Sequence, residues 1–297
     1  MDEPYPVRAT IVYNNDGSAT CSECGQYVDV YATTDKSGKA YFKDILIGSE
    51  YTIEECNCPD RYVIPELQDA TIEWESVCEI NVYNILKQGT VVGQKLDEDG
   101  FSIAGALFGL FKPDETVFTE ETALMVSESN EIGVFRFENV PYGNWIIREL
   151  KPAPVFVLNE EIFAVSITED EQVIEITAVN RFICGCVRVW KVDEEVPDSK
   201  LSNAVFAVYC DVDSNGEFNA EIDMLVGELT ELEAGLYGMD NLRYNGYFLH
   251  EEKAPNGFIE DDNYHYFEIR NDGGLSILRT RLAWALSTSL FSVMFRP

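Results

Sequence analysis

The chain has 297 residues, 46% of them apolar and 25% charged, the composition of a folded protein rather than of a disordered tail or a collagen-like rod. Its 53 acidic against 21 basic residues leave a formal net charge of −32, which repels phosphate backbones and anionic lipid and excludes nucleic-acid binding. The length suits two ordinary domains, or three small β-sandwiches of roughly 100 residues each.

In chain order, the apolar residues follow a two-residue period. Asn15-Asp16-Gly17 marks a first turn, and Gly38 to Gly48 with Tyr51-Thr-Ile-Glu-Glu55 reads as two strands. Val91 to Lys95 and Ala104 to Leu110 flank the turn at Asp99-Gly100. They are followed by Gly133-Val-Phe-Arg-Phe, Trp145-Ile-Ile-Arg-Glu149 and Val173 to Val179. Val187 to Lys191, Phe206 to Tyr209, Gly235 to Met239 and Tyr247 to Glu251 continue the pattern, with turns at Asn215-Gly216 and Asp272-Gly273-Gly274. Alternating β-branched and aromatic runs between such turns are strands. No dozen-residue window carries a helical stripe, so helix is expected to be absent or confined to single turns. The apolar run from Leu282 to Phe295 is shorter than the roughly 20 residues that span a bilayer, so no membrane insertion is expected. The first residues, Met-Asp-Glu-Pro-Tyr-Pro, lack the basic and apolar regions of a secretory signal.

Three of these segments repeat one another. Each has a Gly, alternating apolar residues, an aromatic and a Glu: Gly38 to Glu55, Gly133 to Glu149 and Gly235 to Glu251. A proline follows each glutamate, at Pro59, Pro152 and Pro255. Nearly equal spans in order mark tandem domains, with expected boundaries of 1–86, 87–182 and 183–297.

At Tyr247-Phe-Leu-His-Glu251-Glu-Lys-Ala-Pro255-Asn-Gly-Phe258 the sequence resembles the "E-box" of the prealbumin-like B-type repeats of Gram-positive collagen-binding adhesins and of the SpaA-type domains of sortase-assembled pilins. Val91-Val-Gly-Gln-Lys95 and Ala106-Leu-Phe-Gly-Leu110 look like that family's first two strands. The resemblance spans nearly the whole chain and implies an all-β fold of three tandem prealbumin-like, Ig-like Greek-key sandwiches. It also implies an intramolecular isopeptide bond between a first-strand lysine and a last-strand asparagine, promoted by the E-box glutamate. The chemistry is reasonable, because burial drives a lysine toward its neutral, nucleophilic form and a carboxyl toward its protonated form. The protonated glutamate is then expected to polarise the Asn carbonyl and relay protons.

Carried onto this sequence, the set is complete in domain 2, as Lys95, Glu149 and Asn180. Domain 1 keeps Glu55 and Asn84 but has Val12 where the lysine belongs, and Lys36, Lys39 and Lys43 fall at other positions. Domain 3 keeps Lys191 and Glu251, while the asparagine window holds Thr280, Arg281 and Leu282. There the favoured expectation is a buried Lys191–Glu251 ion pair and an atypical closing strand.

Domain 1 holds Cys21, Cys24, Cys56, Cys58 and Cys78. Cys-x-x-Cys plus Cys-x-Cys supplies four thiolates for disulfides or for a structural zinc, with free thiols as the third state. Cys184, Cys186 and Cys210 offer no readable pairing. The run from Asp211 begins like a calcium loop, with Asp211, Asp213 and Asn215 as oxygen ligands and Gly216 at the sixth position. Its twelfth position is Ile222, so Glu221 or Asp223 would have to close it, and a solvated acidic turn is the competing reading. No cofactor is required on this reading, with calcium and zinc as the two candidates. The two histidines, His250 and His265, read as structural, and no nucleotide, zinc-protease or nucleophile-elbow motif occurs. The expectation is therefore a non-enzyme: a structural stalk of a bacterial surface adhesin or pilin, extracellular and wall-associated, with other surface domains or pilin subunits as partners. The alternative is a module that binds a host extracellular protein or glycan. No Leu-Pro-x-Thr-Gly sorting signal and no pilin Tyr-Pro-Lys-Asn motif occurs in the sequence.

Overall fold

The computed structural model describes residues 11–13, 19–21, 31–43 and 50–282. Every regular element among them is a strand. The first part contains β1 (Ile11–Tyr13), β2 (Ala19–Cys21), β3 (Glu50–Ile53), β4 (Tyr62–Val63), β5 (Gln68–Thr71) and β6 (Ile85–Leu86), which pair as the ribbons β1-β2, β3-β5 and β4-β6. The second contains β7 (Gln88–Asp97), β8 (Leu107–Phe111), β9 (Met125–Glu128), β10 (Val134–Pro141), β11 (Gly143–Lys151), β12 (Phe163–Ile167) and β13 (Gln172–Asn180). The third contains β14 (Cys184–Asp193), β15 (Val205–Cys210), β16 (Met224–Glu228), β17 (Thr230–Glu233), β18 (Leu236–Arg243), β19 (Asn245–Lys253), β20 (His265–Ile269) and β21 (Gly274–Leu282).

The second and third parts share one plan. Sheets β10-β7-β13 and β12-β11-β8-β9 form the second sandwich, and β17-β18-β14-β21 and β16-β15-β19-β20 form the third. The first strand of each copy lies between its neighbours, and in the third copy it pairs in parallel with the last strand. Along β7 alternate residues from Gly89 to Asp97 are buried, so Lys95 inherits the inward face from the two-residue period. The same alternation places Lys191 inside on β14. Phe108 and Phe135 stack at 3.8 Å within the second core, and Val187, Val189, Phe206, Tyr237, Leu249 and Phe267 belong to the third. Among the described residues before Gly89, Ala70 is the one buried hydrophobic side chain.

The repeated glycine has a structural task. Gly133 and Gly235 have φ of 75° and 72°, where a side chain is strained. A Cβ on Gly133 would lie 2.4 Å from the Lys95 carbonyl oxygen, and one on Gly235 would lie 2.9 Å from that of Lys191. Each glycine also accepts the lysine's own N–H, at 2.7 and 2.8 Å. In the second and third domains the glycine therefore seats the first strand at the lysine.

Domains 2 and 3 are tied by polar contacts. Arg181 binds Asp272 through two bonds of 2.7 Å. Arg243 donates to Asp99 at 2.7 Å and lies 4.0 Å above the Phe182 ring. One expectation needs revision. The tail from Arg279 departs in sequence from the family's closing strand, yet β21 forms with an unbroken register from Gly185↔Gly274 to Asp193↔Leu282. Parallel pairing is held by backbone groups, and its register needs only alternation, which Leu278 and Thr280 supply by facing inward.

Candidate functional site

Lys95 comes from β7, Glu149 from β11 and Asn180 from the end of β13, and the three meet inside the second sandwich with 0%, 2% and 2% of their surfaces exposed. Glu149 arrives there because β11 pairs with β8 in register, opposite Phe108. Lys95 Nζ donates to Asn180 Oδ1, and to the Ala178 carbonyl at 3.4 Å. Asn180 Nδ2 donates to both oxygens of Glu149, at 2.9 and 3.1 Å. Lys95 Nζ lies 3.6 Å from Glu149 Oε1 and 5.9 Å from the centre of the Phe108 ring. Burial pushes the Lys95 ammonium below its ordinary range, and the Glu149 charge only partly opposes this.

The contact pattern differs from the sequence expectation in one respect. The glutamate was expected on the Asn carbonyl, but it faces the carboxamide nitrogen, and the carbonyl oxygen faces the lysine. Glu149 on β11 thus meets the nitrogen of the carboxamide, and Lys95 on β7 meets its oxygen. Asn159, which no motif in the sequence marks, joins the site: its backbone N–H donates to Glu149 Oε2 at 2.6 Å. Its signal was a spacing: Asp261 stands equally far beyond Glu251 and donates to Glu251 Oε2 at 3.1 Å.

In the third sandwich Lys191 Nζ is 2.6 Å from Glu251 Oε1 with both side chains buried. Thr280 lies opposite Lys191 on β21, where a carboxamide would be needed. Lys191 Nζ, Glu251 Oε1 and Thr280 Oγ1 are buried atoms without a well-directed hydrogen bond. Burial lowers the Lys191 pKa against the opposing pull of Glu251 and Asp261. His265 Nε2 meets Asp261 Oδ2 at 2.6 Å, and His250 lies flat against Tyr264.

In domain 1, Asn84 Nδ2 donates to Glu55 Oε2 at 2.7 Å and contacts Cys58 Sγ at 3.2 Å, in an exposed setting. The Val12 side chain lies outside the described residues, and Lys36, Lys39 and Lys43 are exposed. Of the four candidate thiolates, Cys24 and the Cys21 side chain lie outside the described residues. Cys56, Cys58 and Cys78 form no disulfide with one another, nor do Cys184, Cys186 and Cys210. At the acidic loop, ligand atoms of Asp211, Asp213 and Asp223 lie within 4.8 Å of one another, while Glu221 is not part of the group. Asp223 joins because Val212 N–H and Asn219 N–H bind its two oxygens, and Asp211 is likewise held by Asn215 N–H and Gly216 N–H.

These features define a class: tandem all-β sandwiches, in the second of which a buried lysine, carboxyl and carboxamide converge from the first, fifth and last strands. The family model for the SpaA prealbumin-like fold domain matches residues 9–85, 89–181 and 185–281. The chain belongs to this family, and its domains are pilin-like structural domains. Among solved structures it is similar to the Bacillus anthracis TIE protein, at 22% identity and a TM-score of 0.70. That match covers 84% of this chain and 45% of that one, so the chain spans less than half of its neighbour. Other matches are a streptococcal ancillary pilin (20% identity, TM-score 0.31, 80% of this chain and 76% of that one) and GBS52, a minor pilin of Streptococcus agalactiae (16%, 0.29, 69% and 99%). A search of curated protein sequences finds no match. Among the described residues no helix is long and apolar enough to cross a membrane.

Proposed function

We propose that the chain is a load-bearing stalk segment of a bacterial surface adhesin or pilin, stabilised by one autocatalytic Lys95–Asn180 isopeptide bond. On this reading its chemistry is a single maturation event without turnover, its place is the cell surface, and its partners are neighbouring surface domains or pilin subunits. The observation that carries the reading is the enclosure of Lys95, Glu149 and Asn180 in one dry core, in mutual contact.

The steps follow from the contacts. The Lys95 ammonium passes a proton to Glu149, because burial disfavours the ammonium. The neutral amine attacks Asn180 Cγ, a C–N bond forms, and the Cγ–Nδ2 bond breaks as Glu149 protonates the nitrogen it already faces. The attacking nitrogen returns its surplus proton to Glu149. Ammonia leaves, and a secondary amide stands beside a protonated carboxyl. Proximity supplies most of the acceleration, since the partners are fixed in contact by folding.

Intact-mass measurement tests this. The chain should weigh one ammonia less than its sequence, and Lys95→Met, Glu149→Ala or Asn180→Ala should each restore the full mass. A wild-type chain of full mass would refute the reading.

A further inference from the structure

We infer that Asn159 is a positioning residue for the cross-linking step, one that fixes the orientation of the Glu149 carboxyl group and clips it to the strand bearing the electrophile. The inference rests on the isopeptide reading above.

Three bonds meet at this half-buried residue. Its backbone N–H donates to Glu149 Oε2 at 2.6 Å. Its side-chain Nδ2 donates to the carbonyl of Val179, the neighbour of Asn180, at 3.1 Å. Its Oδ1 accepts the Glu161 N–H at 2.8 Å, closing an Asx turn that holds the residue in place. Glu149 Oε2 is thereby held by a fixed N–H, and Oε1 is the oxygen 3.6 Å from Lys95 Nζ, while Asn180 Nδ2 donates to both, at 2.9 Å to Oε1 and 3.1 Å to Oε2. The N–H thus fixes the rotation of the carboxyl group, so that one oxygen faces both the lysine and the carboxamide nitrogen. The Val179 bond holds the loop carrying this N–H against β13, so acid and carboxamide keep one spacing.

Domain 3 supplies the contrast. Asp261 repeats the backbone donation to Glu251 Oε2 and the Asx turn, through Asn263 N–H at 3.0 Å. Its side chain, however, accepts from His265 and Asn263 and as a carboxylate has no hydrogen to offer the last strand. The third domain thus differs from the second at two members of the set, Thr280 for Asn180 and Asp261 for Asn159.

The test is a time course of ammonia loss. The full chain is synthesised in a cell-free pulse, samples are quenched in denaturing acid, and the mass of the peptide joining Lys95 to Asn180 is followed. Asn159→Ala and Asn159→Asp should slow bond formation roughly tenfold, the effect of losing one aligned hydrogen bond at the transition state. Asn159→Gln, which keeps a carboxamide donor, should recover part of the rate. Melting of Glu149→Ala with and without Asn159→Ala separates chemistry from folding, and the two should melt alike. Wild-type rates in Asn159→Ala and Asn159→Asp overturn the inference and leave the isopeptide reading standing, as does a slowing matched by equal destabilisation in the Glu149→Ala background. A wild-type chain that never loses ammonia overturns both.

Discussion

Thr280→Asn should build a second isopeptide bond, in domain 3. Thr280 stands opposite Lys191 in the β14–β21 register and its hydroxyl is buried without a partner. Lys191 and Glu251 wait beside it at 2.6 Å from each other. Asn has nearly the volume of Thr, so the swap adds the missing electrophile at little packing cost. Closing the loop from residue 191 to residue 280 removes about 4.6 kcal/mol of unfolded-state entropy if the chain-entropy relation for disulfides transfers. With an unfolding entropy of about 2.1 cal/mol/K per residue over a domain of roughly 100 residues, that raises the domain's melting temperature by up to roughly 20 °C. Intact mass should show two ammonias lost instead of one, and digestion should yield a branched peptide joining Lys191 to residue 280. Adding Asp261→Asn should speed the reaction, because it restores a donor toward β21 and removes a charge that favours the Lys191 ammonium. A folded Thr280→Asn chain with no additional ammonia lost, even with Asp261→Asn, would refute the reasoning from register.

Lys191 also sets a pH dependence in the unmodified chain. Its folded-state pKa lies below the 10.5 of an exposed lysine, so between those two values the unfolded chain binds more protons and stability must rise with pH. Lys191→Met, melted across the same alkaline range, should lose that slope; an equal slope in both would exclude Lys191 as its source. The same variant should cost about 3 to 5 kcal/mol near neutral pH by leaving Glu251 buried and unpaired, whereas Lys191→Met with Glu251→Leu should be neutral or stabilising, as thermal melts would show. Between domains 2 and 3, replacing both Arg181 and Arg243 by Ala should speed proteolysis around residues 181–184. Each exposed pair is worth about 1 kcal/mol or less, so the effect should shrink in high salt. Unchanged cleavage would mean that the arginines do not hold the joint.

The repeat and the strand content were readable in the one-dimensional pattern. A two-residue period assigns Lys95 and Lys191 to the inward face once their strands are recognised, and the recurring glycine-to-glutamate span places Glu149 and Glu251 at the same depth in each sandwich. Local rules of this kind depend on the backbone's fixed geometry, so they survive translation from sequence to structure. Features that depend on which strands lie side by side did not. The closing strand after Asp272 looked atypical because its side chains differ from the family pattern, whereas its pairing with β14 is made by backbone groups that no composition reveals. Asp223 rather than Glu221 completes the acidic cluster because the turn's own N–H groups orient it. Asn159 came into view only when the loop after β11 folded back on β13, since the groups it joins, Glu149 and Val179, are remote in sequence and belong to different sheets. The side of Asn180 that meets Glu149, the carboxamide nitrogen rather than the carbonyl, was likewise decided by the packing of the two sheets, because a sequence names the polar groups and only packing fixes the faces they present to one another.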